Sequence, residues 1–446
     1  MHLHSLPPSI DLIVNTMADI KIAIIGAGPS GCALARLLIN ANINVIVYEG
    51  ETSANARAQG GTLDLHDKTG IATLKKAGLY DEFVKRARFD GEALVLADKH
   101  MTRWINMGGT SEKTSRGRPE IDRSALRQML VDSLPAGTIK WSHKLRRVDE
   151  ETRTLHFEHG SASGFDLIVG ADGTWTKIRP LLTPLKPYYA GITMHRFGIS
   201  DAETRYPELH KLVNRGSVFA VSDNKMLTAQ QMGDGSLNVG TSLVVPEERL
   251  KNISYDTSDL DAVKKDVLSF FPDWDPVLRS FIEVSDHPAW IANSYMLPVG
   301  TRWVHKSGFT CIGDAAHVAT PYAGEGVNLA LEDSMMLADA IIKATRTISV
   351  DTAQGKRLQL DQAVEAFEEH MFVRATAMQQ MTYDMMQTIF YKEGLPDRKI
   401  EDWILRVASD SVPWLLMPLV RGAVYAYYWW FRRTLRGRAS QGKKAE

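Results

Sequence analysis

Three glycines in Gly26-Ala-Gly28-Pro-Ser-Gly31 stand between a β-branched run, Lys21-Ile-Ala-Ile-Ile25, and an apolar helical stretch over 32–39. Such a turn suits a pyrophosphate. Gly26 permits a tight turn, Gly28 lets the backbone approach the phosphates, and Gly31 lets the helix pack on the sheet with its positive end facing the anion. A second run, Asn44-Val-Ile-Val-Tyr48, ends in Glu49, which lies 23 residues beyond Gly26 and can accept hydrogen bonds from an adenosine ribose. Strand, glycine turn, helix, strand and acid in this order predict a dinucleotide site, without distinguishing FAD from NAD.

Two later strand ends carry further carboxylates. Residues 165–170 run into Ala171-Asp172-Gly173, and residues 309–313 end in Asp314-Ala-Ala-His317. The latter is followed by Pro321-Tyr-Ala-Gly324-Glu325-Gly326-Val-Asn328 and an apolar helix to about residue 342. The trio G-x-G-x-x-G, D-G and G-D-A-A-H with P-x-x-G-x-G-x-N, spanning residues 21 to 328, resembles the signature of single-component FAD-dependent aromatic hydroxylases, the class A flavin monooxygenases. Within that group, Ala56-Arg57-Ala-Gln-Gly60-Gly61-Thr-Leu-Asp64-Leu-His66 and Pro119-Glu-Ile-Asp-Arg123-Ser-Ala-Leu-Arg127 are most similar to the tetracycline-degrading monooxygenases.

The resemblance implies an α/β fold with a Rossmann-type FAD domain, an antiparallel β-sheet substrate domain and a C-terminal helical region. The FAD domain would take segments 18–88, 117–186 and 295–350; the substrate domain 89–116 and 187–294; the helical region 355–446. FAD would be held by Gly26, Gly28, Gly31, Glu49, Asp64, Arg123, Asp172, Asp314, Gly326 and Asn328, with Glu49 on the adenosine ribose and Asp314 on the ribityl hydroxyls. Arg57 would contact NADPH, or NADH, as co-substrate. The implied cycle reduces FAD by hydride transfer, then uses O2 to form a flavin C4a-hydroperoxide that hydroxylates an aromatic or polycyclic, polyketide-like or tetracycline-like, molecule. The cofactor carries the hard chemistry, so no Ser-His-Asp or Cys-His nucleophile is expected and no catalytic base is assigned. The 13 histidines are scattered singly, without metal-ligand spacing.

The residues support parts of this assignment independently. Asp122 reads as the N-cap of a helix bearing Leu126, Met129, Leu130 and Leu134 on one face, which puts Arg123 in its first turn. A cation there opposes the helix dipole by roughly 0.3–1 kcal/mol, so a pyrophosphate would rationalise it. Arg127, one turn on, reads as a salt-bridge residue. The arginine fork of Arg57 suits a phosphate, and no second G-x-G-x-x-G unit exists for a dedicated nicotinamide domain. Backbone N–H groups around residues 324–328 can stabilise negative charge on a reduced flavin ring. Glu325 stands where many relatives carry glutamine; it either points to solvent or alters the flavin's electronics. His317 reads as a structural histidine behind the turn.

Strand-like segments at 193–200, 217–221, 226–231 and 237–244, with turns at Ser222-Asp-Asn224 and Gly233-Asp-Gly235, predict an antiparallel sheet, to which segment 91–109 can add strands. Phe197, Gln230, Gln231 and Met232 are the candidate substrate-pocket residues on it. Residues 361–384 predict a long helix with Val364, Phe367, Met371 and Phe372 on one face. Beyond it, an apolar aromatic stretch at 412–431 leads into a basic tail, leaving three readings for 411–444: packing on the protein or a second copy, an interfacial membrane anchor, or a spanning helix.

With Lys+Arg 52 against Asp+Glu 53, the chain of 446 residues has no global pull toward nucleic acid or anionic lipid, and none is expected to bind nucleic acid. At this length it can bury a large core without disulfides. Its two cysteines, Cys32 and Cys311, sit far apart in apolar runs, which fits a reducing compartment. No signal peptide is read at the N-terminus, residues 1–16 read as a disordered extension or an upstream start before Met17, and the expected location is cytoplasmic, with membrane association open. The different-class alternative is a non-catalytic or differently acting flavoprotein docked through its tail.

Overall fold

The computed structural model describes residues 20–54, 56, 60–108, 118–287, 290–346, 352–409 and 412–442. Arg57 and residues 1–16 lie outside the described residues. Lys21–Ile25 lies between Asn44–Tyr48 and Leu167–Gly170, parallel to both, with Ile22 opposite Val45 and Leu167. Phe309–Cys311 and Ile139–Lys140 complete a five-stranded parallel sheet at its two edges. Every residue of Leu167–Gly170 and Phe309–Cys311 is buried. Burial on both faces is why these strands read as continuous apolar runs. Their shared direction also gathers the chain after each strand along one sheet edge, where ligands bind in such folds.

Helix Pro29–Asn40 covers the sheet against helix Gly326–Arg346, and the buried Ser334 hydroxyl donates to the Ser30 carbonyl at 2.8 Å. This single contact joins segments 304 residues apart, so the first and third motifs are held in one unit.

The second sheet has seven strands in the order Trp290–Met296, Tyr188–Ile199, Leu237–Val244, Lys225–Gln231, Ser217–Ser222, Leu94–Ala97 and Arg103–Met107. It departs from a uniformly antiparallel sheet at one place: Leu94–Ala97 runs parallel to Ser217–Ser222. That strand enters from the first lobe rather than through a hairpin, so its direction is not set by a tight turn. Asp223 and Asn224, by contrast, both take left-handed φ values, 51° and 56°, and close a two-residue hairpin of the kind that matches strand twist. One sheet face packs on helices Leu260–Leu268 and Pro276–Glu283, capped by the Asp259 and Asp275 carboxylates.

Helix Ala353–Phe390 is longer than the sequence pattern predicts, and its C-terminal end extends onto a second core. Val364, Phe367, Met371 and Phe372 are buried in the core of the parallel sheet. Met386, Ile389 and Phe390 pack instead under the second sheet with Leu96 and Trp104. Helices Ile400–Ala408 and Met417–Gly442 close over that end. No helix among the described residues is long and apolar enough to cross a membrane, so the spanning reading of the tail is not met there. Pro418 and Arg421 interrupt the apolar run, as a spanning segment does not allow.

Candidate active site

The turn at Gly26 is packed too closely for side chains. Gly26 has φ 107°, and a Cβ there would lie 2.5 Å from the Ala171 carbonyl oxygen. A Cβ at Gly31 would lie 2.1 Å from the carbonyl oxygen of Gly26. Gly28 is the N-cap of helix Pro29–Asn40, which has neither a side-chain cap nor an acid in its first turn. Its first amides therefore remain available to an anion.

Glu49 follows Asn44–Tyr48 and accepts hydrogen bonds from the Ala27 amide at 2.7 Å and the Glu51 amide at 2.9 Å. Arg127, buried, reaches in from helix Arg123–Asp132. Its Nη1 pairs with Glu51 at 2.6 Å, its Nη2 lies 3.8 Å from Glu49, and its Nε donates to the Ala27 carbonyl at 3.2 Å. Arg127 is thus a brace that ties the glycine turn to the acid after the second strand. The nearby Cys32 thiol is driven up to about 12 by burial, which leaves it unreactive.

Asp172 and Asp314 follow the strands Leu167–Gly170 and Phe309–Cys311, and both stay open to solvent. The protein packed around Asp172 nevertheless pushes its carboxyl up to about 6, against a hydrogen bond from Thr176. Behind Asp314, His317 is buried against Asp333 at 2.6 Å, and Asp333 also accepts the Gly313 amide at 3.1 Å. His317 is therefore part of the frame of that turn.

Asp64 lies on a short strand, Thr62–Asp64, paired with Glu120–Asp122. Asn328, fully buried, accepts the His66 amide at 2.8 Å and donates to the Asp64 carbonyl at 2.8 Å. Its side chain clamps the 64–69 loop, so only its backbone faces elsewhere. Gly326, open around its α-carbon, starts helix Gly326–Arg346. Arg123 begins the 123–132 helix, with its amide donating to the Gly61 carbonyl at 3.1 Å. Asp122 holds the N-cap position of that helix but does not cap it with its side chain. Its carboxylate instead takes the Gly233 amide at 3.0 and 3.1 Å and Arg88 at 3.5 Å, tying the two lobes together.

Glu325 takes a partner within the protein: the carboxylate lies 3.3 Å from His66 Nδ1, while His66 Nε2 lies 3.0 Å from Asp64. Burial works against charge on His66, but the two carboxylates outweigh it and hold the ring up at about 9, from an ordinary 6.5. The folded protein therefore keeps this proton over a range where the unfolded chain releases it. The stabilisation is complete below pH 6.5 and drains away as pH rises through about 9. It is of order 3 kcal/mol. His66→Gln should flatten the fall in melting temperature between those pH values, and an unchanged slope would refute the bridge.

On the second sheet, side chains alternate between the helical layer and the first lobe. Arg196, Gln230 and Asn238 face the first lobe: their polar atoms come within 3.5, 4.0 and 3.6 Å of where a Gly61 Cβ would stand. Gln230 Nε2 also donates to the Thr62 hydroxyl at 3.4 Å. Phe197, proposed from sequence for the pocket, is corrected here: it is buried in the helical layer with Val263 and Phe271. Gln231 shares that face with Leu227 and Ala229, and Met232 lies in the turn, its amide bonded to the Ser236 carbonyl at 2.8 Å. A period of two puts neighbours on opposite faces, so Gln230 facing in requires Gln231 to face out.

Sequence reasoning missed Arg196 and Tyr322. Arg196 is the one Lys, Arg, Asp or Glu side chain in Tyr188–Ile199, a signal that could have marked it. It is mostly surrounded by protein, with no carboxylate partner among the described residues; burial first, and then Arg123, lower its pKa. Tyr322, from the Pro321-Tyr-Ala-Gly324 turn, is packed against Phe390 with ring centroids 4.8 Å apart. Burial drives its hydroxyl, next to Ser242, well above the ordinary tyrosine range.

The acids at three parallel strand ends, the glycine turn and the uncapped helix make a cradle whose donors and acceptors fit FAD. A family model described as "FAD binding domain" matches residues 19–368. Monooxygenase asqM of Emericella nidulans is 28% identical over 426 residues, covering 82% of this chain and 94% of that protein. Among solved structures, Klebsiella pneumoniae HpxO complexed with FAD and uric acid matches with a TM-score of 0.67 at 17% identity, over 92% of this chain and 97% of that one. Tetracycline destructase Tet(51) matches with a TM-score of 0.62 at 17% identity, over 90% of this chain and 96% of that one. With its glycine turn and strand-end acids in one edge and its matched region covering most of its length, the chain belongs to the FAD-binding-domain family and is a class A flavin monooxygenase.

Proposed function

We propose that the enzyme uses NADPH or NADH and molecular oxygen to hydroxylate an aromatic or polycyclic small molecule, held between residues 60–62 and the inner face of the seven-stranded sheet. The observation that carries this reading is Arg196, a desolvated guanidinium with no carboxylate partner among the described residues, beside Gln230 and near Gly61. A cation in that position favours an anionic oxygen on its ligand, such as an ionised phenol or enol. The uric acid named with HpxO and the substrate class in the name of Tet(51) are fused-ring molecules of this general kind.

When bound, FAD accepts a hydride and activates oxygen. The protein's part is to bind, orient and exclude water. Glu49 and Asp314 accept hydroxyls of the dinucleotide, Arg123 faces its phosphates, and Asn328 keeps the 64–69 loop in place. Arg196 orients the ionised ring oxygen, while Tyr322, held protonated, donates a hydrogen bond rather than taking a proton. Arg57 binds the nicotinamide donor: Arg57→Ala should raise the KM for NADPH about tenfold, ~1.4 kcal/mol, with FAD content intact. An unchanged KM would remove Arg57 from that role.

The direct test is NADPH oxidation under air by the purified yellow protein, screened against phenols, anthraquinones and tetracyclines. One class should stimulate consumption and yield a product one oxygen atom heavier. Bound flavin that no donor reduces, with or without any of these compounds, would overturn the proposal.

A further inference from the structure

The helix Met417–Gly442 has two different faces. Its inner face is fastened to the protein: the Tyr428 hydroxyl donates to the Trp104 carbonyl at 3.0 Å, Phe431 meets the Trp104 ring at 5.3 Å, and Arg432 pairs with Glu401 at 2.8 Å. That fastening fixes which residues face out. At 100° per residue, Leu419 and Trp430 lie opposite Tyr428, with Tyr427 and Trp429 at the two flanks. Leu419 is 72% exposed and Trp429 62%, and the preceding turn presents Trp414 at 79%. Eight of the nineteen exposed large apolar side chains among the described residues fall between 414 and 430. An apolar surface this concentrated marks an interaction site.

We infer that this outer face docks the enzyme on an anionic lipid surface, with the helix lying in the plane of the interface. Charge selects that occupant. Residues 412–446 contain seven Lys or Arg and one acid, Glu446, whereas the whole chain is balanced at 52 against 53. The described part, 412–442, contains no Asp or Glu, and Arg433, about 140° from Tyr428, puts a basic group on the outer half, where a second copy would meet like charge. Tryptophan and tyrosine prefer the headgroup level, with an apolar body on one side and a polar edge on the other. Basic residues beside them gain from anionic lipid, while no described helix is apolar enough to span.

The test is flotation of the full-length holoenzyme with phosphatidylcholine vesicles, with and without phosphatidylserine, together with quenching of tryptophan fluorescence by brominated acyl chains. Phosphatidylserine should raise the bound fraction at least tenfold, added salt should reverse this, and brominated lipid should quench. Leu419→Ser with Trp430→Ser should reduce binding at least tenfold while flavin content stays unchanged. Failure of the wild-type enzyme to float with either vesicle would overturn the inference. So would a sedimenting dimer whose formation is abolished by the same double substitution, since the face would then be an interface between copies.

Discussion

Asp314→Ala should purify largely free of flavin. Asp314 stands at the end of the Phe309–Cys311 strand with its carboxylate open to the cradle and no part in the core. If this carboxylate accepts two ribityl hydroxyls, its removal loses two charge-assisted hydrogen bonds of about 1.5–3 kcal/mol each, so affinity for FAD should fall by roughly 10²–10⁴. The neighbouring frame does not depend on it, because Asp333 and His317 hold the Gly313 turn from behind. Far-ultraviolet circular dichroism should be unchanged, and the ratio of flavin to protein absorbance reads the loss. A fully yellow variant would show that the ribityl chain is held elsewhere.

Arg196→Ala should separate chemistry from stability in the opposite sense. Hydroxylation should drop by about 10²–10³, ~2.7–4 kcal/mol, the range seen when one oriented electrostatic donor is removed. Flavin content and reduction by NADPH should persist, with oxygen consumption diverted to hydrogen peroxide. The apoprotein should be no less stable, because the substitution removes a desolvated charge that has no partner to leave unpaired among the described residues. Product yield per NADPH consumed, with a thermal melt, reads both effects. A melting temperature that falls with activity would make Arg196 a structural residue instead.

The glycine turn was legible because its constraint is local. Gly31 is required by the Gly26 carbonyl five residues before it, and the strand before and acid after the turn lie within 25 residues, although the Ala171 carbonyl that also excludes a side chain at Gly26 is 145 positions away. The long helix bridging the lobes was legible in its middle, where Val364 to Phe372 repeat at helical spacing, but not at its ends. There Met386 and Phe390 are ordered by a second core that has no counterpart in local pattern. The Asp122 cap failed for a related reason. Its preference for a helix N-terminus is worth about 1 kcal/mol, and the Gly233 amide of the other lobe competes for the same oxygens.

The amino-acid sequence by itself determined the parallel strands, the cradle along their common edge and the family. Apolar runs, glycines and strand-end acids act over short distances, and each leaves its own mark in residue order. Only the tertiary structure decided which face of the second sheet looks toward the cradle, and with it that Arg196 and Gln230 face in while Phe197 and Gln231 pack away. It also paired Glu325 and Asp64 through His66, three side chains up to 261 positions apart. Alternation along a strand fixes which residues share a face but not which face meets which partner. That choice is made by the helices that bury one side, through contacts whose sequence separation is too long for any local pattern to carry.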